Sequence, residues 1–135
     1  MKLNAEGLNV EISAVCRVDA EDWTRVWVSL AVHGFKGGFE AWLQLEDLRR
    51  FSREVSQLYA NPAQAATARL CSAEPDIDIQ IHMNNRGQIR GTYSLESERR
   101  EGVPTQLLGA FVMDQSYLPA LEQSVHALIT YLCRQ

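Results

Sequence analysis

The run Asp76-Ile77-Asp78-Ile79-Gln80-Ile81-His82-Met83-Asn84 alternates polar and apolar residues without a break. Successive side chains on a strand point to opposite faces, so this run specifies a strand with one buried and one wet face. Asn84-Asn85-Arg86-Gly87 supplies turn chemistry, and a second alternating run, residues 88–97, returns beside the first. The pair defines an antiparallel sheet with an open polar face.

The same period recurs elsewhere. In residues 8–18, Leu8, Val10, Ile12, Ala14 and Cys16 share one face, and Asn9, Glu11, Ser13 and Arg17 the other. The polar segment Asp19-Ala20-Glu21-Asp22 turns the chain into a second strand, residues 23–33. There Thr24, Val26, Val28, Leu30 and Val32 point inward, and Trp23, Arg25, Trp27, Ser29 and His33 outward. Residues 34–38 read as a turn. A short third strand follows, with Phe39, Ala41 and Leu43 inward and Glu40 and Trp42 outward.

The period then changes to three and four. Leu45, Leu48, Phe51, Val55 and Leu58 trace one face of a helix. Glu46 and Asp47 fall in its first turn, where acids favour the helix dipole, and Arg49, Arg50 and Arg53 lie on its wet side. Asn61-Pro62 ends it. Residues 63–72 hold a short edge strand at 68–71, and Pro75 opens the Asp76 strand. The charged run Glu98-Arg99-Arg100-Glu101-Gly102 reads as an exposed hairpin tip. Residues 105–113 are apolar on both faces, which predicts a central strand. Asp114 or Ser116 can cap a final helix whose buried stripe is Tyr117, Leu118, Leu121, Val125, Leu128, Ile129 and Leu132. The order βββ-α-ββ(β)β-α predicts one α+β domain over residues 1–135, an antiparallel sheet of six or seven strands with two helices packed on one face.

The 135 residues, 46% hydrophobic and 22% charged, are enough for a core without staples. A formal net charge of −4 argues against nucleic acid, whose phosphates are neutralised by Lys and Arg. Cys16, Cys71 and Cys133 are widely spaced and form no C-x-x-C pair, which fits reduced thiols acting as small hydrophobes. The first residues lack an apolar leader core, and no stretch reaches the roughly 18 apolar residues that span a bilayer. These features predict a cytoplasmic protein with no membrane association.

No motif supplies a chemistry. The segment His33-Gly34-Phe35-Lys36-Gly37-Gly38 lacks the phosphate-loop order and leads into a strand, whereas a phosphate cradle needs a helix N-terminus. His33, His82 and His126 are far apart and form no metal set. Asp76 and Asp78 sit about 7 Å apart on one strand face, as alternation alone requires. No G-x-S-x-G occurs. No catalytic residue, cofactor or metal is therefore expected.

The outward residues are the candidates for binding. Trp27, Trp42 and Arg25 are of the types most enriched at interface hot spots, and Glu40 lies beside them; Asp76, Asp78, His82 and Arg90 are the polar residues of the later strands. The competing account is that the tryptophans pack beneath loops or against the chain's own edge.

Several segments together resemble WapI-like polymorphic-toxin immunity proteins of bacteria and their uncharacterised relatives. They are Gly34-Phe35-Lys36-Gly37 leading to Trp42-Leu43, and Asp47-Leu48-Arg49-Arg50-Phe51 with Leu58. Ala68-Arg69-Leu70 with Glu74, Asp78-Ile79 and Gly87-Gln88-Ile89-Arg90-Gly91 follow, then Phe111 and Asp114-Gln115-Ser116-Tyr117-Leu118. The resemblance implies a small cytoplasmic α+β protein that binds and blocks a toxin without catalysis, and it carries no functional residues over. Two other readings stand beside this one. In one, the sheet face floors a small-molecule or enzyme pocket lined by Asp76, Asp78, His82 and Arg90. In the other, the face is buried in a homodimer.

Overall fold

Met1, Leu3 and Ala5 alternate with Lys2 and Asn4, and this short pattern forms a first strand that the sequence reading did not assign. The computed structural model describes residues 1–72, 76–97 and 103–134. Its strands are β1 (Lys2–Ala5), β2 (Leu8–Ala14), β3 (Trp23–Val32), β4 (Phe35–Gln44), β5 (Ala66–Cys71), β6 (Ile77–Met83), β7 (Ile89–Glu96) and β8 (Gln106–Met113). Helix α1 (Leu45–Ala60) separates the fourth strand from the fifth, and α2 (Leu118–Cys133) ends the chain.

The strands form two antiparallel four-stranded sheets, ordered β1-β2-β3-β4 and β5-β6-β7-β8, rather than one sheet of six or seven. The α+β class holds. The single sheet with helices on one face is corrected, because α1 interrupts the hairpin succession and β5 pairs with β6, not with β4. Within each half the strands are joined in sequence as hairpins. Gly34 (φ 80°) and Gly87 (φ 76°) occupy corners that L residues rarely adopt. At the second corner the Asn84 side chain accepts hydrogen bonds from the amides of Arg86 and Gln88 at 2.9 and 3.0 Å.

One continuous core fills the space between the inner faces. Leu3, Val10, Ile12, Val26, Val28 and Leu43 of the first sheet meet Leu70, Ile77, Ile79, Ile81, Ile89 and Leu95 of the second. The sheets touch where the Glu6 amide donates to the Val112 carbonyl at 3.4 Å. Helix α1 packs on β5 and on α2, and α2 packs on β1, so the helices close the side that the sheets leave open. The buried α1 stripe is Leu45, Leu48, Phe51, Val55 and Leu58, as its periodicity requires, and the Asp47 carboxylate accepts the Gln44 amide at 3.0 Å to hold its first turn.

Four local readings change. Strand β4 begins at Phe35, so residues 35–38 are strand and the corner is only His33-Gly34. Strand β8 lies at an edge, not the centre; it looks apolar throughout because Leu108 and Val112 face solvent while Phe111 and Met113 face the core. Cys16 and Cys133 are exposed rather than packed, since β2 ends at Ala14 and Cys133 closes α2. Tyr117 is also exposed, in a 3₁₀ turn (Gln115–Tyr117) that Asp114 caps by accepting from the Ser116 amide. The proposed tip at residues 98–102 lies outside the described residues.

Candidate functional site

Strand parity and the β3–β4 register assemble the first four candidates into one cluster. Arg25 lies directly across from Trp42, and Trp27 across from Glu40. All four point away from the core, while their neighbours Thr24, Val26, Ala41 and Leu43 are buried. Thr24, the polar residue in that inner row, donates its hydroxyl to the Cys16 carbonyl at 2.7 Å. Trp27 and Trp42 are 44% and 47% exposed, so neither is tucked beneath a loop. Trp23 on the same face is half-buried.

Arg25 ties the cluster together. Its guanidinium carbon lies 6.0 Å from the centre of the Trp42 ring, within cation–π range, and its Nε is 3.6 Å from Glu40 Oε2. That Nε is shielded from solvent and makes no hydrogen bond among the described residues. The arginine is thus oriented by a ring and a long ion pair, with its hydrogen-bonding capacity incompletely used. Gly38 completes the arrangement. A β-carbon there would come within 2.6 Å of the Trp27 ring, so the missing side chain is what lets that ring approach β4 at Gly38. From Trp27 the surface runs into a cleft of about 570 Å³ lined by Gly38, Phe39, Glu40, Ser97, Val103 and Thr105.

The other four candidates lie on the second sheet, so the eight do not share a face. Asp78 is held by Arg69 through two bonds of 2.9 Å from Nε and Nη2. This pairing, with the burial cost outweighed, holds the Asp78 carboxyl below its ordinary range and raises Arg69. His82 Nδ1 shares a 2.9 Å hydrogen bond with Thr67 Oγ1 and sits across from Arg90. The Asp76 carbonyl accepts the Glu96 amide, which extends the β6–β7 ladder by one residue. Arg90 borders a separate cleft of about 340 Å³ with Gly87, Val112 and Gln115. These placements leave Asp78 and His82 engaged with neighbouring side chains on a sheet surface.

Sequence reasoning missed Arg69 and Gly38. The strand read at 68–71 already contains Arg69; its register with β6, which puts Arg69 opposite Gln80 and one diagonal step from Asp78, is what the sequence does not state. Gly38 was hidden by its reading as a turn glycine. Among the described residues no three His, Cys, Asp or Glu side chains gather as a metal set, and no helix is long and apolar enough to cross a membrane.

The fold and surface define a small α+β protein that presents a ring-bearing, ion-paired sheet face to solvent. The chain belongs to the immunity protein WapI-like family, whose family model matches residues 2–132. A search of curated proteins found no match.

Proposed function

We propose that this protein is a single-domain, non-enzymatic immunity factor that binds a toxin domain and blocks it, acting in the cytoplasm of a bacterial cell. Family membership supports the immunity role. The observation that carries the binding site is the outward cluster of Trp27, Trp42, Arg25 and Glu40 on β3 and β4. Two half-exposed tryptophans on a rigid antiparallel pair can bury large area at little entropic cost. Arg25, already oriented by Trp42, can offer its guanidinium to a partner carboxylate without losing much freedom. The single core shared by both sheets and both helices supports one folding unit.

The test is capture followed by neutralisation. The tagged chain is used to isolate a stoichiometric partner from its native extract, and the captured domain is expressed alone and with the chain. Growth arrest by the domain, relieved by the wild-type chain and not by a Trp27→Ala, Trp42→Ala double variant, is the expected result. Relief by the double variant equal to wild type would remove the aromatic cluster from the function.

A further inference from the structure

We propose that the free edge of β4 takes up an extended segment of the toxin domain as a further strand of the first sheet, a mode of binding that rests on the toxin-binding reading above. The segment carries apolar side chains toward the space between the sheets and an acidic side chain beside Lys36.

The phase of the ladder shows which backbone groups are free. The Val15 amide donates to the Arg25 carbonyl at 2.9 Å, so Arg25 and its alternate neighbours Trp27, Ser29 and Ala31 direct their backbone groups at β2. Thr24, Val26, Val28, Leu30 and Val32 therefore bond β4, through Leu43, Ala41, Phe39, Gly37 and Phe35. Lys36, Gly38, Glu40 and Trp42 are left with amide and carbonyl directed away from the sheet, along roughly 20 Å of strand at about 3.4 Å per residue. Gln44, next in that series, follows the same phase, since its amide leaves the sheet for the Asp47 carboxylate at 3.0 Å. Among the described residues nothing takes the backbone groups of the other four.

The remaining edges are wholly or partly occupied. Lys2 of β1 donates its amide to Ser124 of α2 and accepts the same hydroxyl, at 2.9 and 3.3 Å. On β5 the Arg69 amide donates to Glu54 of α1 at 3.1 Å. On β8 the Val112 carbonyl accepts from Glu6, which leaves a shorter stretch with no tryptophan. An open strand edge is a template for another strand: its main chain supplies affinity, and the alternating side chains supply selectivity.

Both sides of β4 are suited to such an alternation. On the outer side Glu40 and Trp42 belong to the aromatic cluster, so the edge continues that face. Lys36, on the same side, makes no ion pair among the described residues, and an acidic side chain would complement it. On the inner side a cleft of about 540 Å³ is lined by Leu30, Phe35, Gly37, Phe39, Leu95 and Leu107. A β-carbon on Gly37 would meet nothing within 4 Å, and Phe35 is 65% exposed, so there is apolar space for a partner's side chains. This cleft shares Gly38, Phe39, Ser97 and Thr105 with the one that begins at Trp27, which makes a trough along the strand.

Amide exchange read residue by residue by NMR, on the chain alone and with the captured toxin domain, tests the proposal. In the free chain Gly37, Phe39, Ala41 and Leu43 should exchange slowly and Lys36, Gly38, Glu40 and Trp42 fast. In the complex the fast four should slow at least about tenfold. Lys36→Pro removes one edge donor without touching the ladder to β3, and should bind the toxin about tenfold more weakly than Lys36→Ala, which removes the charge but keeps the amide. Thermal melts check that both variants fold; if the proline variant does not, the exchange pattern decides by itself. Toxin binding that still needs Trp27 and Trp42 but leaves the four amides fast would overturn strand addition alone. So would a proline variant that binds as well as Lys36→Ala. Slowing of the same four amides in the chain alone as its concentration rises would give the edge to a second copy instead. No binding of a toxin domain at all would overturn strand addition together with the reading on which it rests.

Discussion

Replacing Trp27 with alanine separates binding from folding. The side chain is 44% exposed and points away from the core. Taking about 250 Å² for a whole tryptophan, roughly 110 Å² of ring is available to a partner, worth about 2.7 kcal/mol at about 25 cal/mol per Å². That corresponds to about a hundredfold loss of toxin affinity if the ring is fully covered in the complex. The inner residues Val26 and Val28 are untouched, so the thermal midpoint should move by no more than about 3 °C. Titration calorimetry against the isolated toxin domain reads the first quantity and differential scanning calorimetry the second. Affinity within threefold of wild type would refute the reasoning. A large fall in melting temperature would mean that the ring supports the fold instead.

Other substitutions test particular contacts. Gly38→Ala pushes a methyl into the Trp27 ring, and should weaken toxin binding by about tenfold in the same titration while leaving the melt nearly unchanged. Gly91→Ala acts on the inner face of β7 in the second sheet. Its β-carbon would overlap the buried Phe111 ring, which stacks on Tyr93 at 6.4 Å, so overpacking and a lost ring pair should cost about 2–4 kcal/mol and lower the melting midpoint by about 7–14 °C. Asp78 predicts a pH dependence. Its folded pKa is depressed by Arg69, so its contribution is present above the unfolded value of about 3.9 and is lost as pH falls through the folded value. Urea midpoints should therefore decline below about pH 4, and Arg69→Met should flatten that part of the curve; equal slopes for both proteins would contradict the pairing.

Much of the fold is legible because inner faces write themselves as periodicity. The row Ile77, Ile79, Ile81 and Met83 and the α1 stripe from Leu45 to Leu58 appear in the sequence as they do in the core. Periodicity does not record pairing, however. Nothing in the residues of β4 or β5 states that these strands are not neighbours, so eight strands in two sheets were condensed into one. The first strand has only four residues, too few for alternation to stand out. Strand β8 misled because apolar Leu108 and Val112 lie outside, a pattern that burial alone does not produce. In the candidate site, parity placed Arg25, Trp27, Glu40 and Trp42 on one face. Their mutual contacts depend on the β3–β4 register, which alternation does not record, and the seat of Trp27 on Gly38 was disguised because residues 37 and 38 read as a turn.

The central claim is that β3 and β4 carry the toxin-binding face, and hydrogen exchange tests it most directly. Exchange of the chain would be followed by mass spectrometry with and without a saturating toxin domain. Slowed exchange confined to residues 23–44, and absent in the Trp27→Ala, Trp42→Ala variant, is the predicted result. Protection confined to the helices or to β5–β8, with residues 23–44 unchanged, would contradict it.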